Sequence, residues 1–319
     1  MPGRDIIIRI GGGIKQMVIG MKIGIFESKD DPFIQDVISS LRGYETEFVL
    51  LGENEIPPNP DYRVVIYRYG HHDPYITEIL KVLSLRGTYV INNPFTFSIT
   101  NKIMDANSCS FLDIPHPKTI ALPLIDEEPE GLKEPAWEKI EKVMKFPCIL
   151  KSYDGFAWDN VYIVNSMSEL KNLYDSMKSR TILLAQEMIK YKHYYRVFCV
   201  NKKYVLFVKW IPKPHGLGEY IYSDLAEIEN VKEKIINWTI ELNSILDFDF
   251  NAVEWCIDEN GNPFLIEAFN ETPDVPKGRM PEGYYRWIVD RFVECIKEKA
   301  NSNARNRNIF SPSIFLKNQ

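Results

Sequence analysis

Short apolar runs alternate with amphipathic stretches over the first hundred residues. The pattern predicts strands at 22–26, 47–51, 63–68 and 88–91 and helices at 31–41 and 74–86. Strands that alternate with helices are typical of a parallel sheet covered by helices. We therefore predict an α/β domain over residues 21–95, preceded by an N-terminal extension at 1–20, with Met21 as a candidate start of the protein.

The rest of the chain predicts more strands that pair with their sequence neighbours. Predicted helices cover 100–111, 136–145, 168–177, 231–246 and 281–300, and predicted strands cover 148–151, 161–164, 182–187, 195–200, 204–210 and a hairpin at 250–269. An acidic, proline-containing loop at 122–135 separates the first two of these helices. We predict two lobes of mixed helix and sheet, at 96–185 and 186–300, and a loose polar tail at 301–319.

The composition is that of an ordinary globular protein, with 45% hydrophobic and 26% charged residues in 319. A net charge of −6 argues against a nucleic-acid or anionic membrane partner, because such surfaces rely on clustered Lys and Arg. The five cysteines are odd in number, widely spaced and without the Cys/His spacing of a zinc site. They are typical of reduced core thiols, which predicts a cytoplasmic protein.

The hairpin at 250–269 carries two carboxylates. Asn260 and Gly261 between two apolar runs predict a two-residue type I′ turn, which places Glu254 directly opposite Glu267. Like charges about 5 Å apart destabilise a sheet unless they share a proton or a cation, and carboxylate oxygens suit Mg²⁺. We predict a metal site at this pair. Two glutamates that point into water from an exposed hairpin are the alternative.

Two lysines are candidate phosphate ligands. Lys151 ends a buried strand and precedes an aromatic loop at 152–160 that contains Gly155 and whose backbone N–H groups suit a phosphate. Lys102 lies early in its helix. Taken singly, either residue is equally well interpreted as a solvated lysine at the end of an element.

Together these segments resemble the ATP-grasp superfamily, and within it the RimK-like carboxylate-amine ligases, over about residues 21–300. The matching segments, in order, are Val64 to Arg68, Asn93 with Lys102, Ile114-Pro-His-Pro-Lys-Thr119, Phe146-Pro-Cys-Ile-Leu-Lys151, Gln186 to Ile189, Arg196 with Lys209, and Glu254 with Glu267. Two features depart from the family pattern. An aromatic loop replaces the glycine-rich one, and Asn270 stands one residue later than the family's metal-binding asparagine, so that it reaches the metal only if a β-bulge intervenes.

The resemblance implies an ATP-grasp fold of the α/β class, with a Rossmann-like pre-ATP-grasp domain and a nucleotide cleft between two lobes. It implies ATP and Mg²⁺ or Mn²⁺ as cofactors. The implied nucleotide contacts are Lys102, Lys151, Ser152, Gln186, Glu187, Met188 and Ile189, and the implied metal ligands are Glu254, Glu267 and Asn270. Arg196 and Lys209 are the implied catalytic residues, which neutralise the transferred phosphoryl group; a structural salt bridge is the alternative for Arg196.

The predicted function is ATP-dependent joining of a carboxylate to an amine through an acyl phosphate, on an amino acid, a peptide or a small carboxylate. Candidate substrate residues are Arg68 and His71, which follow a strand of the first domain, with Tyr220 and Arg279 for the acceptor. A homodimer is the default assembly. An ATP-grasp kinase for small molecules and a non-catalytic ATP-binding regulatory protein are the alternatives.

Overall fold

The computed structural model describes residues 6–10, 13–17, 21–49, 62–68, 73–97, 100–125, 134–155, 160–213 and 218–307. Within these ranges fifteen strands form four sheets, accompanied by seven α-helices. The region predicted as an extension contains an antiparallel pair, β1 (Ile6–Ile10) and β2 (Gly13–Met17). No described helix combines the length and the apolar character needed to cross a bilayer.

The first sheet is parallel, as predicted, and has the order β4-β3-β5-β6. Its strands are β3 (Lys22–Phe26), β4 (Glu45–Phe48), β5 (Tyr62–Tyr67) and β6 (Tyr89–Ile91). Helices α1 (Pro32–Ser40) and α2 (Pro74–Arg86) cover it. Each of these helices begins with an aspartate N-cap followed by proline, and α2 ends at Gly87, whose φ of 116° favours glycine.

The second sheet is antiparallel and has the order β7-β10-β8-β9. It consists of β7 (Thr119–Leu122), β8 (Cys148–Ser152), β9 (Val161–Val164) and β10 (Leu183–Glu187). Helices α4 (Trp137–Val143) and α5 (Met167–Met177) pack on it and share one apolar core with it. Helix α3 (Lys102–Phe111) precedes this sheet and lies between it and the third sheet.

The third sheet is also antiparallel and has the order β13-β12-β11-β14-β15. Its strands are β11 (Tyr191–Val200), β12 (Tyr204–Ile211), β13 (Glu219–Ile221), β14 (Phe250–Asp258) and β15 (Pro263–Glu267). Alternate residues of β11 belong to two cores. Tyr194 and Phe198 pack with α7 (Glu282–Asn301), whereas Tyr195 and Val197 pack with α6 (Glu229–Leu246). We refer to these sides as the α7 face and the α6 face.

The turn between β14 and β15 differs from the prediction. Pro263 pairs with Ile257, and Asp258 accepts hydrogen bonds from Asn260 and Asn262, so three residues rather than two form the loop. Gly261 alone among them has a positive φ, 85°, which excludes a type I′ turn. A β-bulge between Glu254 and Trp255 then shifts the register by one residue and restores the pairing of Glu254 with Glu267.

The first six residues of the predicted tail are not loose. Asn306 is buried, and its side-chain amide accepts from the backbone N–H of Val90 at 2.8 Å and donates to the backbone oxygen of Val90 at 2.8 Å. Helix α7 also packs against α1, where the Tyr285 hydroxyl donates to Asp36 at 2.8 Å. The C-terminal part of the chain therefore folds back onto the first sheet, and residues 308–319 lie outside the described ranges.

A buried carboxylate joins the first sheet to the third. Asp249 is fully buried, and one of its oxygens lies 2.9 Å from Lys202 Nζ and 3.2 Å from Lys299 Nζ. Its other oxygen accepts from the hydroxyl of Tyr89, on the first sheet. Because the two ammonium groups have little access to water, their attraction to Asp249 offsets the cost of burying them.

We predict that Asp249→Ala lowers the free energy of unfolding by about 3 kcal/mol or more, because it leaves the buried ammonium group of Lys299 without a counter-charge and leaves Lys202 with Asp247 alone. Glu78→Ala, which removes an exposed ion pair with Lys81, should change it by less than about 0.5 kcal/mol. Urea denaturation followed by circular dichroism measures both. Equal small effects would contradict a structural role for Asp249.

Candidate functional site

Glu254 and Glu267 face each other across β14 and β15, as the sequence predicts. Both oxygens of Glu254 are held: Oε2 accepts from the Tyr194 hydroxyl at 2.6 Å, and Oε1 accepts from Arg196 Nε at 2.9 Å. Tyr194 and Arg196 are two residues apart on β11 and therefore share the α7 face with Glu254. Sequence reasoning missed Tyr194, although the period of two from Arg196 would have indicated it.

Arg196 is a fixed cation at this site. Its Nη1 donates to the Tyr220 hydroxyl at 2.7 Å, and its guanidinium lies 4.8 Å from the centre of the Trp210 ring. Burial would lower the pKa of Arg196, but the charge of Glu254 raises it above its usual value. The predicted residues Arg196, Tyr220 and Glu254 are thus brought together.

Lys102 connects Glu267, on the third sheet, to the loop that follows β8 of the second sheet. As the first residue of α3, it places Nζ 3.3 Å from Oε1 of Glu267 and donates to the backbone oxygen of Gly155, in the loop after β8. Its own backbone N–H donates to the oxygen of Tyr153 at 3.0 Å. Burial would lower the pKa of Lys102, but Glu267 and Asp105 raise it.

Lys151 is the least compensated charge of the group. It is only 7% exposed on β8, and its ammonium group makes no ion pair or hydrogen bond with any described residue. Burial lowers the pKa of Lys151, and the charge of Lys102 lowers it further, against an opposing effect of Glu267. A buried ammonium without a partner is unfavourable unless a ligand supplies the anion.

Asp105 is a further acidic residue of the site that sequence reasoning missed. It lies three residues after Lys102 on the same side of α3, is buried, and its Oδ1 has no hydrogen-bond partner within the described residues. Burial raises the pKa of Asp105 well above its usual value, and the charge of Glu267 adds to this. It lines a small cavity together with Lys102, Lys151, Gln186 and Leu265.

These six side chains form one set, which we call the charge cluster: Lys102, Asp105, Lys151, Arg196, Glu254 and Glu267. Burial would raise the pKa of Glu267, but Lys102, Lys151 and Arg196 hold it below its usual value. The charge cluster spans α3 and two sheets, so it lies between the two lobes, where the sequence predicts the cleft.

The segment Gln186 to Ile189, which the resemblance implies as a nucleotide contact, connects the second sheet to the third. Gln186 is the penultimate residue of β10, and its side-chain amide donates to the Thr119 hydroxyl at 2.9 Å. The backbone N–H of Glu187 donates to the backbone oxygen of Lys118 at 2.8 Å. Met188 is exposed, and Ile189 packs against the core on the α7 face. Ser152 is buried at the end of β8, one residue after Lys151.

Lys209 does not join the charge cluster, which corrects the prediction that it acts with Arg196. It pairs with Tyr195 across β11 and β12, so its side chain lies on the α6 face, opposite to Arg196. There its Nζ lies 2.9 Å from Glu227, which also lies 3.1 Å from His193.

The remaining predicted residues are more dispersed. Asn270 is half-buried, and its backbone N–H donates to Asn251, but its side chain makes no hydrogen bond with a described residue. Arg279 is exposed in the turn before α7. Arg68 is buried at the end of β5, and His71 lies outside the described ranges.

The donor set fits a metal that arrives with phosphate ligands. No three His, Cys, Asp or Glu side chains in the described ranges are placed to hold a metal ion by themselves. Glu254 and Glu267 offer hard oxygen atoms, and Mg²⁺ is commonly bound by one or two carboxylates together with water and substrate phosphates. Mg²⁺ or Mn²⁺ at this pair would need further ligands, which water and substrate phosphates can supply.

No protein-family model matches the chain, and no curated protein matches its sequence. Solved structures do match. A D-alanine–D-alanine ligase from Bacillus anthracis complexed with ATP has a TM-score of 0.64 at 17% identity, covering 88% of this chain and 97% of that one. An ATP-grasp RimK domain protein from Sphaerobacter thermophilus has a TM-score of 0.61 at 16% identity, covering 88% and 100%.

The ATP-grasp ligase PsnB, complexed with a minimal precursor, has a TM-score of 0.59 at 16% identity, and the match covers 86% of this chain and 99% of that one. All three similarities cover most of this chain and nearly all of each matched chain. The chain therefore has the ATP-grasp fold.

Proposed function

We propose that the protein is an ATP-dependent carboxylate-amine ligase that works through an acyl phosphate. The observation that supports this most strongly is the buried ammonium group of Lys151, which forms no ion pair or hydrogen bond with a described residue although it lies near the facing pair Glu254 and Glu267. An anion bound to Lys151 at this site would also contact a metal held by the two glutamates. A nucleotide polyphosphate supplies both the anion and the missing metal ligands.

The charge balance also favours an anionic ligand. Three cations (Lys102, Lys151 and Arg196) face the two carboxylates Glu254 and Glu267, and burial raises the pKa of the third acid, Asp105, well above its usual value. A bound divalent metal adds further positive charge. Phosphoryl transfer depends mainly on such positioned positive charge rather than on a protein nucleophile.

Each residue of the charge cluster except Asp105 has a proposed role in the reaction. Lys102 and Lys151 hold the phosphates, with Lys102 also fixing the loop at Gly155. Glu254 and Glu267 would hold Mg²⁺ or Mn²⁺, which supplies charge neutralisation at the phosphates. Arg196, fixed by Tyr220 and Trp210, stabilises the negative charge that develops on the transferred phosphoryl group and on the acyl phosphate.

Solved structures with the same fold support ligation rather than phosphorylation of a hydroxyl group. They include D-alanine–D-alanine ligase and the ligase PsnB with its precursor. In such a reaction the carboxylate attacks the γ-phosphorus and ADP leaves; the amine nitrogen then attacks the acyl carbon and phosphate leaves. An amino acid, a peptide or another small carboxylate fits this scheme as substrate.

We predict that release of ADP and phosphate requires a carboxylate and an amine together, measured with Mg-ATP against panels of both. Arg196→Ala should lower kcat/KM at least about a hundredfold, because it removes a positioned charge. Lys209→Ala should stay close to wild type, because Lys209 lies on the α6 face. Release with a hydroxyl compound alone would identify a kinase instead, and equal losses in both variants would contradict the assignment of Arg196.

We predict that Tyr194→Phe weakens Mn²⁺ binding about ten- to a hundredfold, because hydrogen bonds to a ligating group orient it. Electron paramagnetic resonance of Mn²⁺ in the presence of ADP measures this without turnover. Tyr195→Phe is the matched control, since its hydroxyl lies on the α6 face and has no hydrogen-bond partner in the described part of the chain. An unchanged Mn²⁺ affinity in Tyr194→Phe would refute the role of Tyr194.

A further inference from the structure

Arg68 is a buried guanidinium with unused hydrogen-bond donors. Its side chain is 7% exposed, and its Nη2 donates to the backbone oxygen of Pro273 at 3.1 Å. Its Nε and Nη1 have no hydrogen-bond partner within the described residues, and the nearest anion, Glu27, lies 3.7 Å from Nε. Burial lowers the pKa of Arg68, which is the expected result of incomplete compensation.

The guanidinium is held rigidly. It lies 4.8 Å from the centre of the Phe33 ring and 5.7 Å from that of Phe250. A buried N–H group that lacks an acceptor costs free energy, so a side chain fixed in this state is poised for a ligand that supplies one. The planar, always charged guanidinium suits a carboxylate.

Arg68 is also connected to the charge cluster by hydrogen bonds through the segment Pro273–Asp274. The oxygen of Pro273 accepts from Arg68, and the oxygen of the next residue, Asp274, accepts from the Tyr220 hydroxyl at 3.3 Å. Tyr220 in turn contacts Arg196. Phe250, under Arg68, is four residues from Glu254 on the same face of β14, which corresponds to about 13 Å.

Three acidic residues lie near Arg68: Glu27, Asp31 and Asp274. Asp31 is engaged as the N-cap of α1, where it accepts from Ile34 at 2.8 Å, and Asp274 is exposed. Burial raises the pKa of Glu27, so this carboxyl takes up a proton more readily than an exposed glutamate does. Glu27, the carboxylate nearest to Arg68 among the described residues, therefore competes less with a ligand carboxylate than an exposed glutamate does.

We propose that Arg68 binds a substrate carboxylate that takes no part in the reaction. This inference rests on the proposed ligase function. It assigns the substrate class: one of the two substrates carries a free carboxylate in addition to its reacting group, either a dicarboxylic donor or an amino-acid acceptor. The reacting group lies at Arg196, and the second carboxylate docks at the first sheet.

The test compares matched substrates that differ only in this carboxylate. One arm uses dicarboxylic donors and their monoamides, and the other uses amino-acid acceptors and their α-amides. In one of the two arms, the wild-type kcat/KM should be about ten- to a hundredfold higher for the substrate with the free carboxylate than for its amide. This is the range expected for hydrogen bonds to a charged group. Arg68→Gln should abolish that preference, while Arg42→Gln, an exposed arginine of the same domain, should keep it.

Several outcomes separate the possibilities. Wild-type enzyme that uses amides as well as free acids in both arms overturns the proposal, and so does a preference that survives in Arg68→Gln. The wild-type comparison remains decisive if Arg68→Gln fails to fold. Calorimetric titration with Mg-ADP provides the second check: unchanged affinity in Arg68→Gln is expected, whereas wild type that does not bind Mg-ADP would count against the ligase itself.

Discussion

Two carboxylates held opposite each other in a sheet cannot both stay ionised without nearby cations, and the arrangement of this protein follows from that constraint. Glu254 accepts hydrogen bonds from Arg196 and from the Tyr194 hydroxyl, both on the neighbouring strand. Glu267 forms an ion pair with Lys102, on a helix of the other lobe. Contacts that satisfy the glutamates therefore also bring the two lobes together. What remains is Lys151, whose charge the protein leaves for a ligand.

The sequence was a good guide where local chemistry decides the structure. The helix predicted at 74–86 has the bounds of α2, where aspartate and proline at the start and glycine at the end fix the two termini locally. The pairing of Glu254 with Glu267 was also correct, although for an incomplete reason. The loop holds one residue more than a type I′ turn, and a bulge next to Glu254 compensates for it.

Errors arose where the face of a strand or a distant contact decides the position of a side chain. Lys209 was matched to the family by its order in the sequence, but the register that pairs Val200 with Tyr204 also pairs Tyr195 with Lys209 and turns it away from the site. Asn306 and the return of α7 to the first sheet depend on contacts more than two hundred residues apart, which a local pattern does not contain. Asp105 was likewise apparent only once α3 was packed against the sheets.

The proposed function depends on the charge cluster binding the phosphates of ATP through Lys151. Isothermal titration calorimetry with Mg-ATP on Lys151→Met measures this most directly, with Lys142→Met, an exposed lysine of the same lobe, as the control. We expect Lys151→Met to weaken the binding of Mg-ATP about ten- to a hundredfold and Lys142→Met to leave it unchanged. Wild-type affinity in Lys151→Met would contradict the proposed role of Lys151.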